Sequence, residues 1–199
     1  MAAGLRAWCT CTICSRWAWA RPVPRPEGHV NARARKVRML LLDVDGVLTD
    51  GTIYLDNNGI EAKGFNIMDG LGLNLLRRAG IGIGIITGRH SAVVAHRARE
   101  LGIGVVVQGC SDKLAAGRQI AEAHGLAMDE LAFAGDDLID LRLMGAVGLA
   151  LSVANGAAEA KAAAHHVTRT PGGRGAVREI CELILKAQGQ WDKVLEPYR

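Results

Sequence analysis

The chain has 199 residues, enough for one domain with length to spare, and its 49% hydrophobic residues can fill a core. With only two Phe and two Tyr, that core must be aliphatic. The formal charge of +4 is unevenly spread: residues 1–38 hold eight Lys/Arg against one Glu, a balance of +7, and the remaining 161 carry −3. The basic pI therefore belongs to a leader, and the body gives no reason to expect nucleic acid as a partner. A membrane is not expected either, since no apolar run approaches the ~20 residues that span a bilayer.

Residues 1–32 read as a disordered tail or as the product of a start codon assigned too far upstream. Arg16, Arg21, Pro22, Pro24 and Pro26 break up any secretory apolar stretch, so a cytoplasmic location is expected. Cys9, Cys11 and Cys14 have no fourth Cys or His at a compact spacing, and Cys110 and Cys181 stand alone, which suits a reducing compartment.

A short helix is predicted over 28–38. From Met39 onward, aliphatic runs alternate with helical patterns. The runs are 39–45, 81–87, 104–108, 131–135 and 147–151, each apolar throughout, as parallel strands covered on both faces require. Helical segments are predicted near 70–79, 90–101, 112–125, 137–144, 156–163 and 175–188. This alternation argues for an α/β fold, a doubly wound, mostly parallel sheet with helices on both faces. One segment interrupts it: residues 52–66, with the Asp56-Asn57-Asn58-Gly59 turn, read as a β-hairpin inserted after the first strand. The domain is expected to run from 33 to 192, with 193–199 as a tail.

Doubly wound sheets bind ligands beyond the carboxyl ends of their strands. There the first strand ends in Asp43-Val44-Asp45-Gly46, whose two acids reach one region. Two solvated turn carboxylates would explain that pair if it were alone. The next run ends in Thr87-Gly88-Arg89, a hydroxyl and backbone N–H groups before a helix N-terminus, where anions bind well. Lys113 opens a helix after the following strand, and Gly135-Asp136-Asp137-Leu138-Ile139-Asp140 adds three carboxylates. Gly46 is expected to let the backbone approach a phosphate.

Acid pair, hydroxyl, lysine and acid cluster, delivered in that order by successive strands, resemble the four motifs of the haloacid dehalogenase superfamily. The resemblance covers about residues 33–192. It implies a phosphatase with Asp43 as nucleophile, Asp45 as general acid and base, and Thr87 and Lys113 holding the phosphoryl oxygens. It further implies Mg²⁺ on Asp43, the Asp45 main-chain carbonyl and Asp136, with Asp137 and Asp140 orienting Lys113 or metal-bound waters. Neither motif interval is long enough for a cap domain, so coverage of the site by another subunit is expected.

Leu42–Gly51, Asn57-Asn58-Gly59, Gln108-Gly109, Ser111-Asp112-Lys113, Gly135–Asp140, Val167–Arg169 and Gly172–Glu179 further resemble the 3-deoxy-D-manno-octulosonate 8-phosphate (Kdo 8-phosphate) phosphatase family. That family makes free Kdo for lipopolysaccharide and forms homotetramers through its hairpins. The resemblance implies substrate contacts from Asn66, Asp69, Gly70, Gly88, Arg89, Arg97, Asp45 and Lys113. Arg97 also lies on the apolar side of its helix, three and four residues from Val94 and Val93, and there wants an anionic partner, substrate or structural acid. Gly172–Gly175 is expected to reach towards an active site. Met68 and Asn74 stand where a common family form has arginines. Two rival readings follow: a phosphatase for a nine-carbon keto-deoxy sugar acid 9-phosphate, or a tetramerisation module without activity.

Overall fold

The computed structural model describes residues 27–199. The leader, with Cys9, Cys11 and Cys14, lies outside the described residues. Helix α1 (Glu27–Ala34) comes first, shorter at its C-terminal end than the predicted 28–38. Its Val30 and Ala34 are buried, so the folded body takes in residues before 33.

Six strands then form one sheet: β1 (Met39–Leu42), β4 (Gly82–Ile86), β5 (Val105–Val107), β6 (Leu131–Ala134), β7 (Leu149–Ser152) and β8 (His166–Val167). Their order is β5-β4-β1-β6-β7-β8, and every neighbouring pair is parallel. The connecting helices are α2 (Ile67–Arg78), α3 (Ala92–Glu100), α4 (Lys113–Ala123), α5 (Leu141–Met144), α6 (Ala158–Ala163) and α7 (Ala176–Ala187). Side chains that are local to the chain start three of them: Asn66, Ser91 and Asp112 accept N–H bonds from Met68, Val94 and Ala115.

Alternation along the strands splits the core in two. Leu40, Leu42, Ile83, Ile85, Ala132 and Ala134 face one layer with Leu73, Leu76, Val94, Ile180 and Ile184. Leu41, Ile86, Leu131, Phe133 and Ala150 face the other with Ile120, Leu143 and Met144. Burial on both faces is what made the runs apolar throughout.

The inserted hairpin forms as expected. β2 (Tyr54–Leu55) and β3 (Glu61–Ala62) pair antiparallel as a separate two-stranded sheet. Asp56 Oδ1 accepts from the N–H groups of Asn58 and Ile60, and Gly59 supplies the positive φ of the turn.

Three elements depart from the pattern-based expectation. β8, only two residues long, leaves no readable period. The C-terminal residues fold as α8 (Trp191–Leu195) and a 3₁₀ turn, with Trp191 under the Arg178 and Lys186 cations and Val194 buried. Residues 138–140 form a 3₁₀ turn before α5, because the Asp140 carboxylate draws in the N–H groups of Asp136 and Asp137.

Candidate active site

The sheet order turns outward in both directions from β1, so the crevice between β1 and β6 is its topological switch point. Leu42 is level with Ile85 and Ala134, which carries Asp43, Thr87 and Asp136 to one edge. The Asp43 N–H bonds the Ala134 carbonyl at 3.0 Å, extending the ladder by one residue. Beyond it, Val47, Leu48 and Thr49 donate to the Val44 carbonyl, closing the loop into a single turn.

Asp43 is 4% exposed. Lys113 Nζ lies 2.9 Å from its Oδ2 and 2.6 Å from Asp140 Oδ1, so one buried ammonium joins two carboxylates. The other Asp140 oxygen accepts from the Asp136 and Asp137 N–H groups at 3.0 and 3.1 Å. Both Asp140 oxygens are thus occupied. Burial acts against the Lys113 charge, but Asp43 and Asp140 outweigh it and raise its pKa. Asp137 turns outward instead and accepts from the Leu138 N–H. Orienting Lys113 therefore falls to Asp140, six residues past the end of β6, and Asp137 caps the 3₁₀ turn.

Carboxylate oxygens of Asp43, Asp136 and Asp140 lie within 4.8 Å of one another. Burial, opposed by Lys113, pushes the Asp43 carboxyl up to about 6. Burial and the charges of Asp43, Asp140 and Asp137 push Asp136 up to about 7. Asp136 Oδ1 is buried and accepts no hydrogen bond. Three carboxylates against one lysine leave two negative charges with all-oxygen donors, which fits Mg²⁺. With Asp140 committed to Lys113 and to backbone, Asp43 and Asp136 are the carboxylates left to hold it.

Gly46 also makes room for a neighbouring carboxylate. Its φ is +94°, and a Cβ there would lie 2.0 Å from Asp136 Oδ2. Lacking a side chain at 46 is what lets Asp136 stand beside Asp43. The Gly-rich stretch reaches this same loop within its own chain: the Gly173 N–H bonds the Val47 carbonyl at 3.0 Å, and a Cβ on Gly172 would overlap the Gly46 carbonyl.

Asp45 anchors a second cluster. Its Oδ1 accepts from Lys63, and Arg89 Nε lies 3.9 Å from its Oδ2. Glu61 joins them, 3.1 Å from Lys63 Nζ and 3.5 Å from Arg89, although its Oε1 makes no aligned hydrogen bond. Lys63 and Glu61 were not anticipated. The available signal was their i, i+2 spacing on the returning hairpin strand, which puts both on one face. Thr87 is buried at the β4 exit and its Oγ1 accepts weakly from the Arg89 N–H at 3.4 Å, spanning Gly88.

The remaining predicted substrate contacts have partners inside the fold. Asn66 caps α2. Asp69, buried, accepts from the Arg178 N–H at 2.7 Å and so ties α2 to the start of α7. Gly70 makes room for Arg97, since a Cβ there would lie 2.6 Å from the guanidinium. Arg97 finds its acid in Glu100 at 2.8 Å and lies over the Phe65 ring. Met68 is exposed, and Asn74 accepts from Arg77.

The raised carboxyls make stability of the metal-free protein pH-dependent. Their folded pKa values lie above the ordinary 3.8, so between about 4 and 7 the folded state holds protons that the unfolded state has released. Stability of the metal-free protein should therefore fall as pH rises through that window. Adding Mg²⁺ at pH 7.5 should raise Tm by several degrees. Thermal unfolding with chelator and with Mg²⁺ checks this, and a Mg²⁺-insensitive Tm would contradict it.

The haloacid dehalogenase-like hydrolase family model matches residues 100–180. The chain is 47% identical over 167 residues to 3-deoxy-D-manno-octulosonate 8-phosphate phosphatase KdsC of Escherichia coli K12, covering 84% of this chain and 89% of that protein. Among solved structures, the Moraxella catarrhalis phosphatase of that name, in complex with magnesium, phosphate and KDO, superposes with a TM-score of 0.85 at 42% identity, over 86% of this chain and 99% of that one. The cobalt-bound Haemophilus influenzae enzyme gives 0.77 at 37% identity, over 79% and 92%. The chain belongs to the 3-deoxy-D-manno-octulosonate 8-phosphate phosphatase family of the haloacid dehalogenase-like hydrolases.

Proposed function

We propose that this enzyme hydrolyses Kdo 8-phosphate to Kdo and phosphate, with Asp43 as the nucleophile. The observation that carries the reading is the buried Asp43–Lys113–Asp140 triad beside Asp136 at the switch point, in a chain 42% identical to a structure holding magnesium, phosphate and KDO. Bound Mg²⁺ would supply the positive charge that lets a carboxylate approach a phosphate dianion.

In the first half, an Asp43 oxygen bonds phosphorus as the ester P–O bond breaks, and Asp45 gives its proton to the leaving sugar oxygen. In the second, water bonds phosphorus, the acyl-phosphate bond breaks to release Asp43, and the water proton returns to Asp45. Lys113 and Thr87 hold the phosphoryl oxygens throughout, with the Gly88 N–H as a further donor to them. Asp43, Asp136 and the Asp45 carbonyl would hold the metal.

Asn66, Asp69, Gly70, Arg89 and Arg97 are proposed to shape the sugar site. Arg89, the most exposed cation of the Asp45 cluster, is free to swing to a sugar carboxylate. A cytoplasmic homotetramer assembled through the hairpins completes the reading. Supporting it, Tyr54, Leu55 and Ile60 of the hairpin and Ile67, Met68 and Leu71 of α2 are exposed apolar side chains.

Phosphate release from Kdo 8-phosphate and from a nine-carbon keto-deoxy sugar acid 9-phosphate, both with Mg²⁺, tests the substrate. The eight-carbon ester should have the higher kcat/KM. Faster turnover of the nine-carbon ester would move the assignment to the rival substrate, with Met68 and Asn74 as the positions to examine.

A further inference from the structure

The Lys63 side chain is fully buried, yet it lies outside the triad and bears on no described step. An ammonium removed from water must be compensated, and two carboxylates face it, Asp45 and Glu61. Only Asp45 takes an aligned hydrogen bond, through Oδ1. The second oxygen, Oδ2, has Arg89 Nε at 3.9 Å, beyond hydrogen-bond range, on a side chain half exposed. The lysine therefore occupies one oxygen of the carboxyl group and leaves the other available.

From this we infer that Lys63 is a positioning residue for the reaction: it pins Asp45 through Oδ1 so that Oδ2 carries the proton to the leaving oxygen and receives it back from water. Lys63 follows β3 on the returning arm of the hairpin, so the insert reaches the chemistry through a side chain of its own subunit. The inference rests on Asp45 being the acid and base.

The test exploits the leaving group. An alkyl ester such as the sugar phosphate needs its departing oxygen protonated, whereas p-nitrophenolate departs without a proton. Lys63→Met should lower kcat/KM about 100-fold for the sugar phosphate. For p-nitrophenyl phosphate the loss should stay below about 5-fold, because that step spares the proton transfer. In an Asp45→Asn background, Lys63→Met should add less than about 3-fold, since the two act as one unit. Lys63→Gln, read on the same two esters, guards against a folding defect in the Met variant.

Equal losses on both esters, or losses that multiply in the double variant, would overturn the assignment and leave Lys63 a structural support of the hairpin. Asp45→Asn alone checks the underlying reading, because it should show the same selective loss. If it does while both Lys63 variants do not, only the Lys63 assignment falls. If Asp45→Asn depresses both esters equally, the acid–base reading falls, and the Lys63 assignment with it.

Discussion

Asp43→Asn should reduce kcat at least about 10³-fold, a loss of roughly 4 kcal/mol of transition-state stabilisation, while the protein stays folded. Asn matches Asp in shape, so the ladder bond from the residue 43 N–H to Ala134 survives. What disappears is the nucleophile, because a neutral amide cannot form the phospho-enzyme. The substitution also removes one of three carboxylates crowded around a single lysine. With Asp43 already pushed up to about 6 by burial, the metal-free variant should be no less stable than wild type at neutral pH. Magnesium binding should weaken, because one of its two free carboxylates is gone. Phosphate release with Mg²⁺ and thermal unfolding with and without it separate these effects. Activity equal to wild type would sink the nucleophile assignment.

Lys113→Met should damage fold and chemistry together. The ammonium is buried between Asp43 and Asp140, themselves buried, so its removal strands two carboxylates in a low-dielectric site. Breaking a buried pair in this way costs about 3–5 kcal/mol. Asp140 keeps its two backbone N–H bonds, which holds the cost towards the lower end. Magnesium should restore part of the stability, since it supplies the missing positive charge. Turnover should remain at least about 10²-fold down even when the variant is folded, as the phosphoryl oxygens lose a donor. Urea unfolding with and without Mg²⁺, alongside phosphate release, reads both losses. A variant as stable and active as wild type would exclude Lys113 from the site.

The lysine was legible in the sequence because it opens a helix directly after a strand. Its partners show where legibility ends. Asp140 was seen as one acid of a cluster, and its neighbour Asp137 as its equal. The 3₁₀ turn separates them: it sends Asp140 inward to Lys113, 27 residues away in sequence, and Asp137 outward to cap a turn. A helix through 137–144, as the periodicity suggested, would not have distinguished the two. Arg97 shows the same limit from the other side. Its apolar setting announced the need for an acid, but that Glu100 is the structural acid beside it depended on side-chain packing.

The sequence by itself determined five of the six sheet strands, the order in which they deliver Asp43, Thr87, Lys113 and Asp136, and the hairpin with its Asn-Gly turn. Each of these rests on a local cause: apolar runs buried on both sides, carboxylates that end strands, capping residues beside their helices. Only the tertiary structure decided that Gly46 makes room for Asp136, that Gly172 and Gly173 clasp the loop after β1, and that Lys63 grips Asp45. Those contacts join residues 18 to 126 positions apart, where no period in the chain carries information. They are selected by burial, which forces each charge and each backbone N–H to find a partner from whatever the fold brings near.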